Sequence, residues 1–391
     1  MPGDDSITHD APAALTRPRT AAQAVGRLRS IAPVALIGLA ALAPLGLSAS
    51  AGVLDDMVLA AAYVVMALGL NIVVGFAGLL DLGYVAFVAI GAYTAAYFAS
   101  SFWADAGPHG QGVAILVSGP VSQLQGIHVN FLLVFALAVA ATTVAGALIG
   151  VPTLRLRGEY VAIVTLAFGE IIGQVAANGG DISLFGGTLT AGPNNIGPID
   201  KIDLPLLAPF DALDPRPWYW FALGLVVLAL VVAVRLRDSR IGRAWTALRD
   251  DERAAAASGI PIARTKLIAY ATGAAFGGVA GAFLASYFSA VNAAQFQFSF
   301  SLFVFSMVVL GGVGSIRGAV LGAIVLSFVN SYLLPDVLYS LPRRVGLDFD
   351  FSSIASGVYG AVIVFVMLMR PEGLLPAAWD TRGDRRGASV E

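Results

Sequence analysis

The chain has 391 residues, of which 58% are hydrophobic and only 12% are charged, with a formal net charge of -2. The mean hydropathy of +0.81 and the 44 glycines exclude an ordinary soluble domain and are typical of a protein that crosses a membrane several times. The absence of cysteine excludes disulfides, thiolate metal sites and thiol catalysis. All three histidines lie outside the apolar runs, so no metal site is expected.

Ten apolar runs are each long enough, at roughly 20 residues, to cross the hydrocarbon core of a bilayer as a helix. They lie near residues 31–50, 56–74, 82–99, 129–150, 159–177, 217–235, 267–290, 299–316, 318–335 and 353–369. The predicted fold is therefore an all-α, polytopic integral membrane protein with about ten transmembrane helices. Polar residues and glycines interrupt the stretch 71–87, which is either a tight turn between two helices or a broken, re-entrant segment.

Basic residues predict the orientation, because the cytoplasmic connections of membrane proteins carry an excess of Lys and Arg. With ten spans and the N-terminus inside, 19 of the 23 Lys and Arg residues lie in the cytoplasm. Both termini are therefore predicted to be cytoplasmic. Residues 1–30 are interpreted as a disordered basic tail, 31–370 as the transmembrane domain and 371–391 as a cytoplasmic C-terminal tail. The first apolar run is longer than that of a signal peptide, so it is interpreted as a retained span.

Two polar side chains lie within the predicted fifth span, where ionisable groups are costly and are candidates for a functional role. Glu170 and Gln174 are one helical turn apart on the same face. They either line the translocation path or form a hydrogen-bonded contact between helices. Gly169 and Gly173 beside them are spaced as small residues at close helix contacts are, which predicts that this face packs against protein.

The interrupted stretch contains two further candidates for the translocation path, Asn71 and Asp81. Glycine-broken helices at membrane depth often line a cavity, but both residues would equally serve as helix caps at a turn. The stretch "VVGFAGLLDLG" (73–83) is similar to "VLGGVGSIRG" (309–318), which indicates a duplicated unit. The glycines of the second stretch predict a tight cytoplasmic turn between two spans.

The cytoplasmic connection 235–266 concentrates charge, with eight basic and four acidic residues among 32. It is either a plain solvated loop or a rigid element that transfers force from a cytoplasmic partner. Apolar residues recur at intervals of three and four, which predicts one short amphipathic helix from Arg240 to Ser258. These residues are Ile241, Ala244, Trp245 and Leu248.

The ends of this predicted helix carry clear signals. Asp238 or Ser239 is placed to cap its start. Gly259 and Pro261 end it, because glycine accepts the left-handed backbone that follows a helix and proline cannot continue one. A helix joined by a glycine turn to the next span favours the force-transfer interpretation over the plain loop.

Within this connection, "ERAAAASGIP" (252–261) resembles the cytoplasmic coupling motif of ABC transporter permeases, written Glu-Ala-Ala, three residues, Gly. Ala254, Ala255 and Gly259 match that spacing, whereas Arg253 stands in place of Glu and Glu252 lies one position early. Four longer blocks in order, over roughly 53–376, resemble the branched-chain amino acid permease family and specifically its LivM-type subunit. These blocks are "GLNIVVGFAGLLDLGYVAFVAIGAYTAA", "LRLRGEYVAIVTLAFGEII", "RIGRAWTALRDDE" and "MVVLGGVGSIRGAVLGA".

The resemblance implies the permease subunit of an ATP-driven, binding-protein-dependent importer in the bacterial inner membrane, with branched-chain amino acids as the expected substrates. The implied partners are a second, LivH-type permease, two ATPase subunits and a periplasmic substrate-binding protein. ATP would bind those ATPase subunits, so neither a cofactor nor an enzymatic activity is expected in this chain. The residues expected to couple the chain to the ATPases are Trp245, Leu248, Glu252, Ala254, Ala255 and Gly259.

The residues independently indicate that ATP is bound elsewhere. A P-loop needs Gly-Lys-Ser/Thr, and neither Lys201 nor Lys266, the two lysines of the chain, follows a glycine. An ion-coupled carrier would use Glu170 and Asp81 as coupling groups but would leave the helix of the 235–266 connection without a role. An intramembrane enzyme would need paired acids or Ser/Lys or His clusters, which are not evident. Urea, short amides or other amino acids are alternative substrates.

Overall fold

The computed structural model describes residues 38, 40–42, 44, 52–103, 112–117, 125–156, 158–184, 187–203, 210–211, 214–331, 364, 368 and 373–375. The chain divides into two compact units, Met1–Ser48 and Ala49–Glu391. In the first unit, the described residues are helical. Most of the predicted first and tenth spans, the tail 1–30 and all but three residues of the tail 371–391 lie outside the described residues.

Apart from the helical residues Val364 and Leu368, most described residues of the second unit lie in ten helices. These are α1 (Val53–Leu70), α2 (Val85–Phe98), α3 (Phe131–Thr153), α4 (Glu159–Asn178), α5 (Pro215–Asp238), α6 (Arg240–Asp250), α7 (Glu252–Ala257), α8 (Ile262–Phe288), α9 (Phe298–Gly311) and α10 (Ile316–Phe328). A π-helical turn, Asn71–Phe76, extends α1. Short 3₁₀ turns lie at Ser101–Trp103, Gly179–Asp181 and Ala293–Phe296.

Five of these helical stretches are long and apolar enough to cross a membrane, among the residues that the structure describes. They are Val53–Phe76, Phe131–Thr153, Tyr160–Asp181, Pro215–Asp238 and Ile262–Phe288. Three shorter apolar helices lie at Val85–Phe98, Phe298–Gly311 and Ile316–Ser331. A helix thus lies at each predicted span from the second to the ninth, which confirms the polytopic all-α fold, whereas the total of ten spans stays a prediction.

Short strands occur in the connections between helices. β1 (Ala99–Ser100), β2 (Val113–Ile115) and β3 (Ile127–Val129) form a sheet in the order β1-β3-β2, with β1 antiparallel and β2 parallel to β3. β4 (Ser183–Leu184) pairs antiparallel with β5 (Gly187–Thr188). The sequence analysis did not predict these strands, because two or three residues are too few to show an alternating apolar pattern.

His128 joins this sheet to the connection that follows α4. Its Nδ1 lies 2.7 Å from Oδ2 of Asp200, and its Nε2 lies 3.1 Å from the carbonyl oxygen of Gln125. The amide of Asp200 also donates to the carbonyl oxygen of Ala99. Burial raises the pKa of Asp200, and the hydrogen bond from His128 opposes that rise. The histidine therefore has a structural role in holding two connections together.

The core lies around α1 and α8. In the most apolar window of each helix, 72% of the α1 residues and 61% of the α8 residues are buried, against 22–28% in α3, α4 and α5. Helices α3, α4 and α5 therefore expose most of their surface to lipid or to partner subunits. Small residues bring α2 and α8 close together: a Cβ atom added to Gly91 would lie 2.6 Å from the carbonyl oxygen of Gly278.

Candidate functional site

The 235–266 connection folds into two helices and not one. Asp251 has an extended backbone (φ -156°, ψ 113°), and its carboxylate accepts hydrogen bonds from the amides of Ala254 at 3.1 Å and Arg253 at 2.7 Å. These hydrogen bonds lower the pKa of Asp251. The prediction of a single helix from Arg240 to Ser258 was wrong, because an aspartate that caps a new helix ends the preceding one.

The apolar face of α6 is turned inward. Trp245 is 0% exposed, and its Nε1 donates a hydrogen bond to the carbonyl oxygen of Thr265 at 3.0 Å. Leu248 is also buried, whereas Ile241 is 37% exposed and so lies outside the buried stripe. The cap of α6 is Ser239, whose hydroxyl accepts from the amide of Gly242. Trp245 and Leu248 thus support α6 from within the protein.

The turn after α7 has the geometry that its glycine predicts. Gly259 adopts a left-handed backbone with φ of +82°. Its amide donates to the carbonyl of Ala256 at 3.0 Å, and the amide of Ile260 donates to the carbonyl of Ala255 at 3.1 Å. This pair of hydrogen bonds is the Schellman motif that ends many helices. Ala255 is buried, while Ala254 and Gly259 are exposed, so α7 presents a surface of small residues together with the exposed Arg253.

An ion pair joins α7 to the start of α8. Nζ of Lys266 lies 2.9 Å from Oε1 of Glu252, and the lysine side chain is only 3% exposed. A buried ammonium group is stable only when it is paired, so Glu252 neutralises a charge inside the protein. Of the six predicted coupling residues, Glu252, Trp245, Leu248 and Ala255 therefore support the segment, and the other two form part of its exposed surface.

Arg249 makes a long-range contact that the sequence analysis missed. Its Nη1 donates to the carbonyl oxygen of Gly75 at 2.7 Å. A Cβ atom on Gly78 would lie 2.8 Å from Cγ of Arg249, so the glycine leaves room for the arginine. Gly75 belongs to the π-helical turn, a kind of irregularity often found at functional sites. Helix α6 is thus bonded directly to the end of the first described span.

The two similar glycine stretches contact each other. Oδ1 of the buried Asn71 accepts a hydrogen bond from the amide of Gly314 at 2.8 Å. A Cβ atom on Gly75 would lie 2.5 Å from that same amide nitrogen. The connection between Gly311 and Ile316 is a tight turn, as predicted. Asn71 follows the last residue of α1, and its side chain joins the two turns.

The described C-terminal residues pack on this second turn. The amides of Leu374 and Leu375 donate to the carbonyls of Leu310 and Gly311, each at 2.9 Å. They satisfy carbonyl groups at the end of α9 that have no partner within the helix. These residues, which the sequence analysis places in the C-terminal tail, are thus in contact with the helical domain.

Asp81 lies in the connection that precedes α2 and is buried. Its Oδ1 accepts from the amide of Gly83 at 2.9 Å, as an aspartate at a turn does. Its Oδ2 has no hydrogen-bond partner among the described residues. Gly83 approaches α4 closely, so that a Cβ atom there would lie 3.2 Å from the amide nitrogen of Gly169. The predicted close contact at Gly169 is therefore present.

Glu170 and Gln174 lie on an exposed face of α4. Nε2 of Gln174 donates to Oε1 of Glu170 at 3.0 Å, and Nδ2 of Asn178 donates to Oε1 of Gln174 at 3.3 Å. Three polar side chains thus form a ladder along one face of an apolar helix. Glu170 and Gln174 also line an open cavity of about 520 Å³.

The profile of the family described as branched-chain amino acid transport system / permease component matches residues 52–367. The chain belongs to this family. The branched-chain amino acid transport permease protein LivM of Escherichia coli K12 is 37% identical over 351 residues, which cover 84% of this chain and 71% of the relative. The probable LivM of Methanocaldococcus jannaschii is 24% identical over 326 residues, covering 80% and 90%.

A second type of permease is also similar. LivH of Escherichia coli K12 is 30% identical over 156 residues, which cover 40% of this chain and 46% of that protein. No solved structure shows significant similarity to the chain. The resemblance found in the sequence is thereby confirmed, and the chain is a multi-pass membrane permease of this family.

The structure of this permease does not gather the four predicted path residues into one site. Asn71 and Asp81 are buried at two turns, where they bond to backbone amides. Glu170 and Gln174 lie on the exposed face of α4. Apolar periodicity identifies the helices but not their neighbours, so it did not separate these two settings.

Proposed function

We propose that this permease is the membrane-spanning subunit of an ATP-driven, binding-protein-dependent importer of branched-chain amino acids. The observation that carries this proposal is the exposed α7 surface, which is followed by the Gly259 turn and is joined to the start of α8 by the bond between Glu252 and Lys266. The names of the LivM and LivH relatives support the substrate class and a pairing with a second, LivH-type permease. Two ATPase subunits and a periplasmic binding protein complete the proposed complex in the bacterial inner membrane.

In this proposal ATP is hydrolysed by the separate ATPase subunits, and α7 receives their motion. The buried contacts of the segment then pass the motion onward. Trp245 and Glu252 connect α6 and α7 to the start of α8 through their bonds to Thr265 and Lys266. Arg249 connects α6 to the π-helical turn, and hence to the contact between the two glycine turns. The coupling role of the six predicted residues is thus divided between docking and support.

The translocation path is proposed to follow the polar face of α4. A carboxylate and an amide on the outer face of a helix at membrane depth are costly in lipid, so they face a partner or water. Glu170 and Gln174 are the candidates that this reasoning favours. Asn71 and Asp81 are assigned instead to the turns where they are bonded.

The function is tested by reconstituting the chain in proteoliposomes with the second permease, the ATPases and the binding protein encoded beside it. We expect uptake of leucine, isoleucine and valine that requires both ATP and the loaded binding protein. Preferential uptake of urea or short amides would show that branched-chain amino acids are not the substrates. Uptake driven by an ion gradient without ATP would contradict the importer itself.

The predicted orientation can be measured on this chain directly, because it has no natural cysteine. A cysteine at Ser258, exposed beside Gly259, should react with impermeant thiol reagents only from the cytoplasmic side. One at the exposed Ser183 should react only from the periplasm. Labelling with the opposite sidedness would overturn the orientation based on charge.

Replacing Arg249 should weaken the connection between α6 and the π-helical turn. Arg249→Met keeps the aliphatic part of the side chain but removes a charged hydrogen bond, which is worth about 1.5–3 kcal/mol. We expect severalfold less uptake per ATP hydrolysed in reconstituted vesicles. Arg235→Met is the matched control, since Arg235 is exposed near the end of α5 and lies outside the proposed docking helix α7. Equal coupling in both variants would show that the Arg249 contact transmits nothing.

A further inference from the structure

The cavity of about 520 Å³ beside α4 is bounded by polar groups on several elements. Glu170 and Gln174 contribute from α4, Asn292 from the 3₁₀ turn that precedes α9, and Gln297 and Ser299 from the start of α9. Phe296 and Phe298 line it as well. The cavity thus combines one negative charge with amide groups and aromatic rings.

Glu170 is held in position for an external partner. Its Oε1 accepts from Gln174, which in turn accepts from Asn178. Its Oε2 makes no hydrogen bond or ion pair with the described residues. A carboxylate oxygen in this setting has capacity for a strong, charge-assisted hydrogen bond from a cation. A lipid chain in the cavity would leave that charge without compensation.

The opposite wall is rigid. Nδ2 of Asn292 donates to the carbonyl of Pro193 at 3.1 Å and to Oδ1 of Asn195 at 2.7 Å. Oδ1 of Asn292 accepts from the amide of Ala294 at 2.7 Å. A Cβ atom on Gly173 would lie 3.2 Å from the carbonyl oxygen of Phe296, so α4 lies close against this wall. The cavity is therefore preformed in the chain.

We propose that this cavity binds an amino acid, with the carboxylate of Glu170 pairing with the substrate ammonium group. Gln174 is a positioning residue that orients the carboxylate, and the rings of Phe296 and Phe298 contact an apolar substrate side chain. This inference rests on the proposed import function and gives it a location and a chemistry. It predicts that the site distinguishes an amino acid from the corresponding 2-hydroxy acid, which lacks the ammonium group.

The charge of the cavity is tested with a Ser299→Cys variant of the full importer complex, since Ser299 is exposed and lines the cavity. A cationic methanethiosulfonate reagent should react faster than an anionic one of similar size. Adding Glu170→Gln should lower the ratio of the two rates about three- to fivefold, as expected for charges several Å apart in a wet site. Asp181→Asn, exposed at the end of the same helix, is the control and should leave the ratio unchanged.

Binding is tested in the same complex by protection. Leucine in excess should slow the labelling of the Ser299→Cys variant, and 2-hydroxy-4-methylpentanoate should not. Adding Glu170→Gln should remove the protection by leucine. An unchanged rate ratio, or equal protection by both compounds, would overturn the site. Because labelling needs no transport, failure of the site is distinguishable from failure of the import function, which appears as absent uptake with the unmodified chain.

Discussion

Gly259→Val should leave the permease in the membrane but uncouple it from ATP hydrolysis. The glycine has φ of +82°, a region in which a β-branched residue costs about 1–2 kcal/mol or more. To avoid that cost, the turn must rotate and lose the hydrogen bonds from the amides of Gly259 and Ile260. The direction of α7 relative to α8 then changes. We expect that a loaded binding protein no longer stimulates the ATPase and that uptake is lost at normal expression.

The control variant separates backbone strain from the added bulk. Apart from the residues directly before and after Gly259, no described residue has a heavy atom within 4 Å of a Cβ atom at this position, so the side chain itself has space. Gly259→Asn adds a side chain of similar size, but asparagine tolerates a left-handed backbone. It should retain most of the coupling. Wild-type stimulation and uptake in Gly259→Val would show that the segment is only a solvated loop.

Gly83→Ala should prevent the helices from packing. A Cβ atom at Gly83 would overlap the carbonyl oxygen of Thr165 and lie 2.7 Å from its carbonyl carbon. Both atoms belong to the backbone of α4 and cannot rotate away, so either the turn before α2 or α4 must move. Overpacking of this kind costs typically 1–3 kcal/mol, and occasionally more. We expect a sharp drop in monodisperse protein after detergent extraction and a lower unfolding temperature.

Gly224→Ala is the matched control within a helix. Gly224 is exposed on α5, and no described atom outside its chain neighbours and the nearby backbone of α5 lies within 4 Å of its added Cβ. Since alanine is favoured over glycine in a helix by about 1 kcal/mol, this variant should fold at least as well as the wild type. If both variants gave the same yield and unfolding temperature, the close contact between α2 and α4 would not limit the stability of the fold.

The sequence by itself determined where the described apolar helices of the second to ninth predicted spans lie. A segment in lipid must satisfy all of its backbone hydrogen bonds internally, so a run of about 20 apolar residues is sufficient to predict a helix. It also determined where α7 ends, because the left-handed turn at Gly259 and the proline at 261 are local requirements of the backbone. The family could also be predicted from the sequence, because each block of residues that carries the resemblance is contiguous along the chain.

The tertiary structure alone decided which residues meet. Arg249 bonds to Gly75, 174 positions away, and Asn71 to Gly314, 243 positions away. A hydrophobic pattern cannot predict such pairs, because it records the spacing of apolar residues along the chain and not which residues they contact. The same limit applies to Trp245, whose apolar character fits either a partner surface or the interior. Only the packing of α6 against α8 assigns it to the interior, where its indole nitrogen finds a carbonyl acceptor.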